Sequence, residues 1–405
     1  LSSSSHFEQA ILNADFQYFS PCPRGLEPAL IEELLELGIK NPVSTAGGVS
    51  YPGSLSDCYA VNLHSRIASR VLLRIAQTRY RNEEDLYKLA LAQRWDQWFD
   101  VTRTIRVDIA ATRSPLRSLE FATLRVKDAI CDQFRTVGTE RPSVDTRNPG
   151  ARIFGYLDSD DFILYLDTSG EPLFKRGWRL DTGEAPLREN LAAGILRLSG
   201  WVPGETLLDP MCGSGTIVVE AAQRTLGIPP GSRRRFGFEN LKNFDEELWQ
   251  QLKDDAADNA PDGEGIMKIH ASDLSGDAVA LTRANLARAG LSTDLALKIA
   301  PKQVDARHIQ APDEHGVLVT NPPYGERIQL RATTSDDAFF SELGSTLKQR
   351  FTGWRCCILS SDLALQGKLR LAPSKRTVLY NGAIECRLYE FRMQAGSLRR
   401  KTEGE

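Results

Sequence analysis

The sequence predicts an α/β fold: a mostly parallel sheet with helices on both faces in the C-terminal half, preceded by an α+β region. Two observations carry this reading. After about residue 185 short apolar strands alternate with amphipathic helices, whereas between 84 and 180 short strands and helices mix without that alternation. A third is Asn381-Gly382 between two strand-like runs, a hairpin cue that closes the sheet with an antiparallel strand. At 405 residues the chain is too long for one core, so two or three domains are expected.

Each element follows from its own spacing. Phe19 to Gly38 reads as a turn with Pro21, Pro23 and Gly25, feeding a helix that carries Leu26, Leu30, Ile31, Leu34 and Leu35. Strand-like pieces follow, punctuated by Gly47, Gly48, Pro52 and Gly53, and 58–78 can hold a helix and a strand. A helix over 85–91, an alternating strand over 104–109, a helix over 121–134 and a strand over 162–166 complete the α+β part. Beyond it, strands are expected at 206–208, 267–271, 296–300, 316–320 and 356–359, with helices at 216–226 and 277–289. The last two strands are 376–380 and 386–391. Residues 228–265, polar and holding Pro229-Pro230 and Arg233-Arg234-Arg235, read as an inserted excursion.

Composition narrows the function classes. With 41% hydrophobic and 25% charged residues the chain is of ordinary globular type. No run approaches the roughly 18 apolar residues of a membrane span. The stretch Leu1–His6 lacks the basic and apolar regions of a secretory signal. Seven scattered cysteines without a C-x-x-C pair argue against a disulfide framework and a zinc site, and a cytoplasmic setting without metal is expected. Net charge is −3, yet residues 61–180 hold 20 Lys+Arg, 17 of them Arg, against 16 Asp+Glu. That is a modest local surplus of the planar phosphate binder.

Four motifs carry chemistry. Asp209-Pro210-Met211-Cys212-Gly213-Ser214-Gly215-Thr216 lies between a strand and a helix, where glycines admit a ligand to the backbone and the helix start offers free N–H groups. It lacks the third glycine of a dinucleotide fingerprint and the Lys of a P-loop. Asp273, followed by Leu274, ends the next strand, where a carboxylate can accept ribose hydroxyls; such an Asp also reads as a turn or cap. Asp305-Ala306 ends a third strand and could accept from an adenine amine. Asn321-Pro322-Pro323-Tyr324 follows strand 316–320. Its prolines stiffen the loop and remove donors, leaving the Asn321 side-chain oxygen and the Pro322 carbonyl to hold a planar amine while Tyr324 stacks on its ring.

In this order the motifs resemble those of class I methyltransferases that modify exocyclic amines. Pro186, Glu189 and Asn190, within Ala185–Ala193, resemble the segment before the glycine loop that contacts cofactor. Cys22–Glu27 resembles the opening of a ferredoxin-like piece; Leu124–Ile130, Arg141–Asp145 and Leu166–Glu171 resemble a THUMP domain, followed by Lys175–Arg179. Asn321–Arg327 and Tyr380–Cys386 complete the match, over about 15–392. The resemblance is to THUMP-containing large-subunit rRNA guanine-N2 methyltransferases, including the N-terminal half of the fused bacterial enzyme. Leu274-Ser275 replaces the family's Ile-Asp.

That resemblance implies a ferredoxin-like domain (15–65), a THUMP RNA-binding domain (66–170) and a methyltransferase domain (185–405) with a Rossmann-like seven-stranded sheet. It implies S-adenosyl-L-methionine as cofactor, 23S rRNA or a precursor particle as partner, and no second methyltransferase activity. Asn321, Pro322, Pro323 and Tyr324 would be catalytic. Pro186, Glu189, Asn190, Asp209, Pro210, Met211, Gly213, Ser214, Gly215, Thr216, Asp273, Leu274, Asp305, Ala306 and Asn321 would line the cofactor. Arg125, Lys127, Lys175, Arg176, Arg179 and Arg327 are the candidate RNA contacts. The rivals are an adenine-N6 methyltransferase of DNA or RNA, a glutamine-directed protein methyltransferase, and a non-catalytic RNA-binding assembly factor.

Overall fold

The computed structural model describes residues 16–138, 140–180, 187–261, 267–323 and 335–394. They form two units, each built on a seven-stranded sheet.

The first unit holds residues up to Cys22, then Leu26–Arg176 and Pro229–Asn259. Its strands are β1 (Phe16–Pro21), β2 (Val43–Thr45), β3 (Gly48–Gly53), β4 (Leu72–Arg79), β5 (Ile105–Ala111), β6 (Ala151–Leu157) and β7 (Asp161–Asp167), in the order β2-β3-β1-β4-β7-β6-β5. The two N-terminal domains expected at 15–65 and 66–170 share this sheet, because β4 pairs with β1 on one side and β7 on the other. Helix starts are local: the Asn82 side chain accepts from Glu84 N and Asp85 N, and that of Ser118 from Phe121 N. Strand β6 was not foreseen. Ala151, Ile153, Gly155 and Leu157 face inward, but the intervening Phe154 and Tyr156 are aromatic, which hides the alternation.

The expected excursion is structured. Residues 229–259 belong to the first unit. Phe238 stacks on Tyr59 (4.3 Å) and packs edge-on against Trp249 (5.2 Å), which sits in the helix Glu246–Asp258. Arg234 donates to the carbonyls of Pro172 (2.6 Å) and Ser169 (3.1 Å) and to that of Glu171. The Arg233–Arg235 run is therefore partly an internal anchor.

The second unit holds Pro23–Gly25, Gly177–Ile228 and the residues from Ala260 onward. Its strands are β8 (Leu207–Asp209), β9 (Ile269–Asp273), β10 (Lys302–Gln303), β11 (Val317–Thr320), β12 (Arg355–Ser360), β13 (Lys375–Asn381) and β14 (Ile384–Arg392), in the order β10-β9-β8-β11-β12-β14-β13. The first five strands in that order run parallel, and β14 is antiparallel to both neighbours. The seven-stranded Rossmann-like sheet is present, with its closing hairpin turning between Asn381 and Ile384. The strand expected at 296–300 is instead helix: Ser292 caps Thr293–Ile299, and Leu295 and Ile299, one turn apart, point into the core. The strand follows it and is two residues long. A helix the sequence reading passed over, Asp336–Arg350, places Leu343, Leu347 and Phe351 in a core with Leu318, Ile358 and Phe391 of the sheet.

Candidate active site

In the second unit the chain runs β8, β9, β10 toward one edge, then returns to place β11 on the other side of β8. This reversal leaves a crevice at the carboxyl ends of β8 and β11, where open α/β sheets take their ligands. All four motifs leave the sheet at this end: Asp209 from β8, Asp273 from β9, Asp305 two residues beyond β10 and Asn321 from β11.

Asp209 ties two of them together. Its Oδ1 accepts from Thr320 Oγ1 (2.9 Å), the last residue of β11, and from Met211 N (3.2 Å). Asn321-Pro322-Pro323 therefore begins one residue beyond a bond to the glycine loop. Asp209 is 2% exposed, and burial pushes its carboxyl up to about 7, with the charge of Asp273 adding and the two hydrogen bonds opposing.

The loop is held from both sides. Asp273 accepts from Gly213 N and Ser275 N, each at 2.9 Å, and Cys212 N donates to Ser272 O (2.9 Å). On the far side the helix Gly276–Arg288 presents Thr282, whose hydroxyl donates to Gly213 O (2.9 Å), and Asn285, whose amide donates to Ser214 O (2.7 Å). Both are fully buried. Neither was singled out from the sequence; two small polar residues three apart between inward-facing Val279 and Leu286 were the available signal. Gly215 cannot be another residue: its φ is +79, and a Cβ there would lie 2.7 Å from Thr282 Cγ2.

An adenosine-like ligand with a charged tail fits this set. A Cβ on Gly213 would meet nothing within 4 Å, so the backbone there borders open space. The helix Thr216–Thr225 starts without a side-chain cap, leaving N–H groups for a ligand. Leu274, 45% exposed beside Asp273, offers an apolar surface. Two of the expected residues have partners within the fold. Asp305 caps the turn Ala306–His308 and pairs with Arg307 (2.6 Å), which holds its carboxyl below the usual range. The Ala306 side chain is 4% exposed, in the apolar core. Pro210, Glu189 and Asn190 are buried, Met211 and Ser214 half-buried. Pro186, Tyr324 and Arg327 lie outside the described residues.

The expected RNA contacts divide. Arg125, Lys127 and Lys175 pair with Glu84 (2.6 Å), Asp128 (2.6 Å) and Glu171 (2.5 Å), and Arg125 also covers the Tyr87 ring. Two are corrected by their burial. Arg176 is 3% exposed and donates to the carbonyls of Leu173 and Arg66, both at 2.6 Å, so it is a brace of the first unit. Arg179 belongs to the second unit, where it meets Glu189 Oε1 (3.1 Å), Leu187 O (3.2 Å) and Thr216 Oγ1 (2.5 Å). Its side chain is 8% exposed, so it braces the starts of the helices at Glu189 and Thr216 rather than presenting a surface charge.

Among the described residues no three His, Cys, Asp or Glu side chains are placed to hold a metal, and no helix is long and apolar enough to cross a membrane.

Comparison with known proteins gives three family matches: an RMKL-like methyltransferase domain over 176–390, a THUMP domain over 80–167 and an RlmL ferredoxin-like domain over 17–72. The chain is 42% identical over 381 residues to the ribosomal RNA large subunit methyltransferase K/L of Psychromonas ingrahamii, covering 93% of this chain and 50% of that protein. The Shewanella amazonensis protein of the same name is 37% identical, with 95% and 54% covered. The chain thus spans about half the length of these relatives. Among solved structures, SMU.472, a methyltransferase candidate in complex with S-adenosylhomocysteine, superposes with a TM-score of 0.83 at 29% identity, covering 94% of this chain and 99% of that one. A predicted N6-adenine-specific DNA methylase from Listeria monocytogenes superposes with a TM-score of 0.84 at 28% identity, covering 96% and 98%.

Proposed function

Since the chain belongs to the RMKL-like methyltransferase-domain family, we propose that it transfers the methyl group of S-adenosylmethionine to the exocyclic N2 amine of a guanine in large-subunit ribosomal RNA, in the cytoplasm. The observation that supports this most is the Asp209–Thr320 bond, which sets the glycine loop beside Asn321-Pro322-Pro323. A cofactor cradle and a pair of amine acceptors are then neighbours at one end of the sheet.

When bound, S-adenosylmethionine supplies an electrophilic methyl on a sulfonium. The residues of this chain do the rest. The backbone of Gly213–Thr216 borders the ligand, and Asp273 has lone pairs left for ribose hydroxyls after its two backbone bonds. Glu189 and Asn190 close the same side, with Arg179 bracing Glu189. The Asn321 side-chain oxygen and the Pro322 carbonyl would accept hydrogen bonds from the two N–H groups of the target amine. They pull density onto its nitrogen and fix its direction of attack, which is catalysis by position and electrostatics. As the N–CH3 bond forms the S–CH3 bond breaks, the neutral thioether leaves, and one amine proton is released to solvent. Tyr324 stacks on the base. The first unit holds RNA through shape and phosphates.

Adenine-N6 transfer is the second reading, because the same two acceptors suit an adenine amine and one structural neighbour carries that label. Incubation with labelled cofactor and either unmodified ribosomal RNA or duplex DNA, followed by nucleoside mass spectrometry, separates them. N2-methylguanosine in the RNA is the expected product. N6-methyladenine, or label in DNA alone, would replace the guanine reading.

A further inference from the structure

The sheet of the first unit has one shut face and one partly open face, on which Tyr165 and Asp167 are buried while Arg74, Gln77 and Arg79 are exposed. Leu73, Ile153, Leu164 and Leu166 are 0–1% exposed on the shut side. On the other side, register places Arg74 of β4 opposite Tyr165 of β7, Tyr165 opposite Phe154 of β6, and Tyr156 opposite Ile163. β4 is the middle strand of seven, yet Arg74, Gln77 and Arg79 on this side are exposed, so the centre of the face lies open. Phe154 and Tyr156 are half-buried. Arg70 lies over Phe154 at 5.2 Å, and Phe19 packs on Tyr165 at 6.0 Å.

The charges on this face leave a basic remainder. Asp108 is taken by Arg106 (2.7 Å) and Asp167 by Arg70, while Asp161 stands opposite Arg79 in the β4–β7 register, so three carboxylates face Arg70, Arg74, Arg79, Arg106 and Arg152. Arg74 makes no ion pair among the described residues and reaches Gln77 at 3.5 Å. Flat rings interleaved with exposed guanidinium groups suit one class of partner. Unpaired bases stack on rings whatever their identity, while the backbone is drawn to the cations. A duplex keeps its bases stacked on each other and has no ring face to offer.

We propose that this open face is a stacking platform for single-stranded RNA, with Phe154 and Tyr156 receiving bases and Arg74 and Arg79 receiving phosphates. It rests on RNA being the substrate, and it names which part of that RNA is gripped: a loop or unpaired strand rather than a helix.

The test uses the whole chain, a short single-stranded RNA and an RNA duplex of the same length, with affinity read by fluorescence anisotropy. Tyr156→Leu keeps an apolar side chain and removes the flat ring; Arg74→Gln removes one cation. Circular dichroism confirms folding, and calorimetric cofactor affinity serves as control. Tyr156→Leu is expected to weaken single-strand binding at least about fivefold while duplex and cofactor affinities stay put. Arg74→Gln should weaken single-strand binding and lower its salt dependence. RNA carrying 4-thiouridine should cross-link to β6. Unchanged single-strand affinity in Tyr156→Leu, or equal losses for single strand and duplex, would overturn the platform. If the parent chain still methylates RNA in that case, only this inference falls; a parent chain that binds no RNA removes the methyltransferase-on-RNA reading as well.

Discussion

In the second unit, parallel strands end in carboxylates, Asp209 on β8 and Asp273 on β9, and both are turned onto backbone N–H groups of one loop. In the first unit the sheet carries arginines, and several of these are exposed or held in solvent-facing pairs. The difference is one of desolvation. Buried charges near the loop are locked by several partners and define a shape, while exposed cations in the first unit remain available to a polyanion. Arg176 and Arg179, three residues apart, show how fast the boundary is crossed: Arg176 is buried, the Arg179 side chain is 8% exposed, each belongs to a different unit, and Gly177 between them has φ +89.

The largest effect should come from Arg179. Its replacement by Gln breaks the ion pair between two nearly covered side chains, Arg179 and Glu189, at a cost of about 3–5 kcal/mol in stability. Urea unfolding measures this, and RNA affinity of the folded variant should not change. A stable Arg179→Gln chain with weakened RNA binding would return Arg179 to the RNA face.

Asp209 gives the next contrast. Its folded value, about 7, lies above the ordinary 3.8. The native state therefore holds its proton longer than the unfolded chain does. Its favourable contribution is complete below about pH 4 and is lost as pH rises to 7. Without cofactor the urea midpoint should fall between pH 5 and 8, and Asp209→Asn should flatten that slope. Cofactor, being cationic, should bind more tightly at pH 8 than at pH 6 in the parent chain and lose this trend in the variant.

Thr282→Val keeps volume and removes the hydroxyl that donates to Gly213 O. A loss of about 1–2 kcal/mol is expected, with weaker cofactor binding as its sign. At the small end, Lys175→Ala breaks an exposed pair whose partners are 60% and 54% exposed. Stability should move by about 0.5 kcal/mol or less. RNA affinity at low salt is the quantity to watch there.

These contrasts also explain what could be read from sequence. The placement of the glycine loop and of Asn321-Pro322-Pro323 after β8 and β11 was legible because each is a run of consecutive residues following an apolar strand. Asp273 was legible by position at a strand end. Thr282 and Asn285 were not, because they serve a loop about 70 residues away and look like ordinary polar positions of a helix. The run Lys175-Arg176-Gly177-Trp178-Arg179 announced charge, but charge says nothing of burial, and the partner Thr216 of Arg179 lies 37 residues on. The C-terminal strands showed through their apolar runs, except at 296–300, where Leu295 and Ile299 one turn apart outweighed strand propensity. The excursion hid its role because Phe236, Phe238 and Trp249 are isolated among polar neighbours and converge only on folding.

The central claim is that Asn321 faces the target amine beside a cofactor held at the Asp209 loop. Single-turnover methyl transfer by Asn321→Ala, with cofactor affinity measured in the same sample, tests it most directly. A fall of about 10²–10³ in rate with cofactor affinity retained is the predicted result. Transfer at the parent rate would contradict it.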